Sequence, residues 1–150
     1  MKSLTVFLDA SVILSGLISP AGGSGKLLIA GAKKKIKLIA TEKIVGEVIS
    51  NLSKVNVRTK DFENLLSSRT IQVINTPSEE KIVKFMPIIN DPDDAHVLAG
   101  VVHSRAEILI SLDKKHILVP KVKKTLRPIK VLSPKQFWEW LVKTRSLNKL

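Results

Sequence analysis

The sequence predicts an α/β fold built on a mostly parallel sheet of about five strands, with helices covering both faces. Three observations carry this expectation. Five short apolar, β-prone runs recur, at residues 4–8 (LTVFL), 36–40 (IKLIA), 71–74 (IQVI), 107–111 (EILIS) and 129–132 (IKVL). Helical patterns lie between them, and strands that alternate with helices make βαβ units. Finally, 150 residues with 44% hydrophobic content can fill one core, and no repeat, low-complexity tract or long linker divides the chain. One globular domain over residues 1–150 is expected.

The first run ends at Asp9 and is followed by two helical pieces, 11–18 and 25–33. Gly22, Gly23 and Gly25 mark a flexible surface loop between them. Its GGSGK string is not a phosphate-binding loop, because the five-residue glycine spacing meets Pro20 and the residue after Lys26 is Leu27. After the second run a helix is expected over 41–53, with Ile44, Val45, Val48, Ile49 and Leu52 on one stripe. Another helix begins at Pro92, after Asp91. The last starts at Pro134, with Ser133 as N-cap and Gln136 completing a capping box.

Met1-Lys2 and the apolar stretch through Ile18 superficially resemble an export signal. Asp9 in its middle argues against that, and no run of 18 uninterrupted apolar residues occurs. A soluble, non-exported, cytoplasmic protein with no membrane partner is expected. The absence of cysteine excludes disulfides, zinc–thiolate and iron–sulfur sites and thiol nucleophiles. With 25 Lys plus Arg against 13 Asp plus Glu, the net charge of +12 points to a polyanionic partner.

In a parallel sheet, chemistry collects at the carboxyl ends of the strands, where strand order reverses. Asp9 directly follows the first run and Asp113 lies two residues beyond the fourth, so both should stand on that edge. Each also has a plain structural explanation, Asp9 as a helix N-cap assisted by Ser11 and Asp113 as a turn residue. In Asn90-Asp91-Pro92-Asp93-Asp94, Asp91 is a natural N-cap. At about 100° per residue, Asp94 falls about 10° from the centre of the apolar face and Asp93 roughly 110° away. Asp94 should therefore face the sheet, where a carboxylate needs a partner. Glu47 falls about 120° from the centre of its helix's stripe, which by geometry alone leaves it a solvated residue. Glu42, in the first turn after Thr41, is explained by the helix dipole. Gathered carboxylates repel one another unless a cation neutralises them, and oxygen ligands favour Mg²⁺ or Mn²⁺. His96, His103 and His116 are not paired at ligand spacing on a helix and are expected to be ordinary surface or boundary residues.

Together Phe7-Leu8-Asp9-Ala10-Ser11-Val12-Ile13, Glu47, Asp91 through Ala99, Ile110-Ser111-Leu112-Asp113 and Leu132 through Phe137 resemble the PIN-domain family, in particular the toxin components of VapBC-type toxin–antitoxin pairs. The resemblance spans nearly the whole chain and implies a compact three-layer α/β/α sandwich. It implies an acidic cluster of Asp9, Glu47, Asp94 and Asp113, with Ser11 and Ser111 as polar supporters; only the family pattern promotes Glu47. The implied activity is endonucleolytic hydrolysis of RNA with one or two Mg²⁺ or Mn²⁺ ions held by these acids. The implied partners are RNA and a small antitoxin, and a homodimer is compatible with the resemblance. Many relatives carry Asp or Asn where this chain has His116, which bears on whether a second metal site is complete.

The basic excess should draw RNA toward this negative centre. The candidate contacts are the dense runs Lys33, Lys34, Lys35 and Lys121, Lys123, Lys124. Residues 121–150 hold nine Lys or Arg against one Glu. Trp138 and Trp140 can stack bases, but two apart on one helix they cannot share a face. Two other readings remain: a PIN-like scaffold that holds RNA or protein without cutting, and an RNA-processing nuclease without an antitoxin. Phosphotransfer from an aspartate needs Asp-x-Asp, and here the string is Asp9-Ala10-Ser11.

Overall fold

The computed structural model describes the backbone of residues 3–148 and side chains through Thr144. Met1-Lys2, and within the basic C-terminal stretch the side chains of Arg145 and Lys149, lie outside the described residues. The chain runs β1 (Thr5–Leu8), α1 (Ala10–Ile18), α2 (Gly23–Ala32), β2 (Lys37–Thr41), α3 (Glu42–Leu52), α4 (Thr59–Ser67), β3 (Ile71–Ile74) and α5 (Glu79–Val83). A 3₁₀ turn (Pro92–Asp94), α6 (Ala95–Ser104), β4 (Ile108–Ile110), α7 (Pro120–Leu126), β5 (Lys130–Leu132) and α8 (Pro134–Asn148) follow.

The five strands form one sheet in the order β3-β2-β1-β4-β5, every neighbouring pair parallel. All five coincide with the apolar runs of the sequence, their ends shifted by a residue or so. The central strands β1 and β4 are covered on both faces, which keeps their runs nearly continuous, whereas β3 at the edge leaves Gln72 and Val73 exposed. Val6, Phe7 and Leu8 of β1 and Leu109 and Ile110 of β4 are completely buried. Each contributes about 1.5–3 kcal/mol relative to exposure, which anchors the two strands that carry the site.

From β1 to β3 the chain moves one way across the sheet, and from β3 to β4 it crosses back past β1. Right-handed crossovers then place α1–α4 on one face and α5–α7 on the other, giving three layers. α8 returns to pack on α2. On the second face α6 approaches the sheet closely at Gly100, where a Cβ would stand 2.7 Å from the Phe7 ring.

The glycine-rich segment departs from expectation. It is not a flexible surface loop: α2 already begins at Gly23, and Ser24 and Gly25 are buried. A Cβ on Gly25 would meet the Pro20 carbonyl oxygen at 2.1 Å, so the glycine is required by packing. Three helices have no counterpart in the sequence pattern. α4, α5 and α7 are short and bury only Phe62, Ile82, and Val122 with Leu126, too few apolar positions for a clear period. Ser133 and Gln136 do form the expected reciprocal capping box, at 2.9 and 3.1 Å. Trp138 donates to the Gly23 carbonyl, and Trp140 packs on Phe137 beneath Lys130, so both tryptophans fasten α8 to the body. No single described helix is long and apolar enough to cross a membrane.

Candidate active site

β1 and β4 are adjacent, and the sheet order reverses between them. Their register pairs Leu8 with Ile110, and the Asp9 amide donates to the Ile110 carbonyl at 3.1 Å. The residues just beyond both strands are thereby brought side by side at a topological switch point.

Asp9 caps α1, accepting from the Ala10 amide at 2.8 Å through Oδ1. Its Oδ2 accepts from the Ser111 hydroxyl at 2.7 Å. The same completely buried hydroxyl accepts from the Asp113 amide at 3.1 Å, so one side chain joins the ends of both strands. Asp113 closes a turn, its Oδ1 accepting from the amides of Lys115 and His116 at 3.1 and 2.9 Å. Ser11 accepts from the Leu112 amide at 3.3 Å and ties the start of α1 to the same loop. The structural and chemical explanations of Asp9 and Asp113 thus hold together: the cap and the turn aim the carboxylates.

Asp94 enters from the 3₁₀ turn ahead of α6 and is half-buried, whereas Asp93 is exposed. Asp91 caps that turn by accepting from the Asp93 amide at 3.0 Å. Burial, together with the charges of Asp113, Asp9 and Asp91, pushes the Asp94 carboxyl up to about 6, against a smaller opposing pull from His116. Burial also raises the Asp9 carboxyl, opposed by its bonds to Ser111 and Ala10 and reinforced by Glu47. Acids whose protons are held this way are ready to exchange them for a cation.

Two histidines differ from the expectation of ordinary residues. His103 is exposed in the last turn of α6, as expected of a surface residue. His96 is only 1% exposed, with Nε2 lying 3.1 Å from Oε1 of the half-exposed Glu47. That approach falls outside hydrogen-bonding direction, so neither ring nitrogen has a hydrogen-bond partner. Charge interactions link both residues to Asp9, which places Glu47 on the Asp9 side of the site. His116 inserts its Nδ1 between two carboxylates, 3.2 Å from Asp113 Oδ2 and 3.3 Å from Asp94 Oδ2. Spacing within one helix could not reveal His96–Glu47 or His116–Asp94, because each joins residues of different elements, while His116 and Asp113 are three apart in one turn.

Asp91, Asp94 and His116 have ligand atoms that all lie within 4.8 Å of one another. Asp91 and His116 were not among the predicted site residues. Mutually repelling carboxylates, with Asp9 and Asp94 raised above their ordinary pKa, fit a divalent cation. Asp9, Glu47, Asp94 and Asp113, with Asp91 and His116, are the residues available to hold one.

The two lysine runs lie apart. Lys33, Lys34 and Lys35 are exposed where α2 leads into β2, at the amino edge of the sheet, and Lys34 donates to the carbonyls of Ser68 and Arg69. Lys121, Lys123 and Lys124 sit on α7, which follows the Asp113–His116 turn, and Lys121 donates to the Pro87 carbonyl at 3.1 Å.

The family model described as PIN domain matches residues 5–115, a segment holding Asp9, Glu47, Asp94 and Asp113 and ending one residue before His116. No curated protein matches the chain significantly. The chain belongs to the PIN-domain family. PIN domains are generally nucleases that use divalent metals and bind RNA.

Proposed function

We propose that this PIN-domain protein is a divalent-metal-dependent endoribonuclease and acts as the toxin of a toxin–antitoxin pair in the cytoplasm. The observation that carries the nuclease reading is the convergence of Asp9, Asp94 and Asp113 at the switch point, where their mutual repulsion helps hold the Asp94 carboxyl up to about 6. Asp9, Glu47, Asp94 and Asp113 would hold Mg²⁺ or Mn²⁺. Such an ion supplies an activated water and electrostatic stabilisation of the phosphoryl oxygens. The chain's own part is to fix that centre. Ser111 keeps Asp9 oriented, the turn amides keep Asp113 oriented, and the buried strands beneath leave a stiff floor. Cations on α7 would guide the RNA backbone toward this edge.

Cleavage of total RNA with and without EDTA, comparing wild type with Asp94→Asn, tests the activity. Activity confined to the metal-replete wild type is the expected result, and equal cleavage in all arms would overturn it. A small reading frame overlapping the upstream end of the coding sequence, whose product suppresses cleavage, is the expected mark of the antitoxin.

A second reading, a PIN-like scaffold that binds RNA without cutting it, is favoured by one observation. His116 reaches both Asp94 and Asp113 and can partner either through its ring nitrogen without an ion. Metal-independent RNA binding without cleavage would support it.

A further inference from the structure

We propose that Asp91, Asp94 and His116 form a mixed nitrogen–oxygen subsite that favours a first-row transition ion over Mg²⁺, with Mn²⁺ as its paramagnetic probe. The inference rests on the site being a divalent-metal centre; it does not depend on RNA being the substrate.

The three ligand atoms come from two loops, yet all lie within 4.8 Å of one another. Asn90 ties those loops together at 3.4 Å by donating to the Lys115 carbonyl, a bond involving none of the proposed ligands. Nδ1 of His116 faces oxygens of both Asp94 and Asp113 but carries at most one hydrogen, so it can donate fully to only one of them. A cation in place of that hydrogen would be attracted to the whole set. Asp113 positions the ring: its Oδ1 accepts the His116 amide and its Oδ2 stands at the imidazole. Asp91 accepts one amide through Oδ1. A carboxylate has acceptor capacity beyond one such bond.

The donor set decides the metal class. Mg²⁺ prefers oxygen ligands and gives up its water reluctantly, whereas imidazole nitrogen adds affinity for transition ions. His116 adds a nitrogen donor to an otherwise all-oxygen set, which should move preference away from Mg²⁺.

The test uses the full chain, stripped with EDTA and reloaded with Mn²⁺ alone. Pulsed electron paramagnetic resonance should show ¹⁴N coupling to Mn²⁺ in wild type. The coupling should vanish in His116→Asn and persist in His96→Asn, with circular dichroism confirming that each variant is folded. Mn²⁺ affinity should fall by about tenfold or more in His116→Asn, at least the scale seen when a metal's supporting partners are removed. Asp91→Asn, which retains the cap, should weaken Mn²⁺ binding while preserving the nitrogen coupling. Mg²⁺ should displace Mn²⁺ more readily from His116→Asn than from wild type. No ¹⁴N coupling in wild type, or coupling lost only in His96→Asn, would overturn the proposal. Nitrogen-coupled Mn²⁺ without RNA cleavage would leave the subsite standing and remove the ribonuclease reading; EDTA-sensitive cleavage without nitrogen coupling would do the reverse.

Discussion

The two sides of the acidic site are built differently. On the inner side, Asp9 has both oxygens hydrogen-bonded, one to a helix amide and one to a completely buried serine. On the outer side, Asp91, Asp94 and His116 come from loops and are half-buried, with an imidazole nitrogen shared between two carboxylates. The inner side is fixed by the protein itself, whereas the outer side is held in part by a hydrogen that a cation can replace. A preorganised wall facing an adjustable one suits a centre that must hold a metal and also admit a substrate.

Four changes test that contrast. Asp9→Asn should have the largest effect, reducing RNA cleavage by about 10²-fold or more, the scale lost when one electrostatic stabiliser is removed. Because asparagine can still accept the Ala10 amide bond, the melting temperature should change little, and the two measurements separate chemistry from folding. Ser111→Ala should follow. It leaves a buried carboxylate oxygen without its donor, costing about 1–3 kcal/mol of stability in denaturant titration. Cleavage should fall about 10–100-fold through the misplaced Asp9.

The third concerns pH and the outer side. Asp94 has its carboxyl raised to about 6 from an ordinary value of 3.8, so between these the folded chain binds more protons than the unfolded one. Its stabilising contribution is therefore present below about pH 4 and lost as pH rises through 6. In EDTA, the melting temperature of wild type minus that of Asp94→Asn should fall across this window. Added Mn²⁺ should restore it above pH 6, where the ion no longer competes with a proton.

The smallest effects belong to the lysines. Replacing Lys121, Lys123 and Lys124 with glutamine should reduce the salt slope of single-stranded RNA binding by up to about 2, at about 0.7 for each phosphate no longer neutralised. The same replacement of Lys33, Lys34 and Lys35, at the opposite edge of the sheet, should leave the slope nearly unchanged. An equal reduction from both sets would show that RNA wraps around the molecule rather than meeting one edge.

Parts of this arrangement are legible in the sequence. Central parallel strands buried on both faces are nearly continuous apolar runs, and the edge strands β3 and β5 keep enough apolar, β-prone residues around Gln72 and Lys130 to be visible as short strings too. An acid directly after such a run can only emerge at its carboxyl end, which locates Asp9 and Asp113. Helical periodicity separates Asp94 from Asp93 even though the segment is a 3₁₀ turn, because both geometries turn Asp94 inward. Ser78 before Glu79-Glu80 and Pro120 are helix start signals at α5 and α7. The glycine segment was misleading for another reason. Glycines signal flexibility in isolation, whereas Gly25 exists to admit the Pro20 backbone.

The strands, the edge at which the acids emerge and the excess of positive charge all follow from local composition and periodicity. The connections among those acids come from the folded arrangement of distant segments. Ser111 reaches Asp9 across 102 positions of chain, His96 meets Glu47 from another helix, and His116 stands between Asp94 and Asp113. Apart from Asp113 and His116, three apart in one turn, no period along the chain relates these residues. They meet because β4 inserts beside β1 after the crossover, and that strand order is set by packing of the whole core.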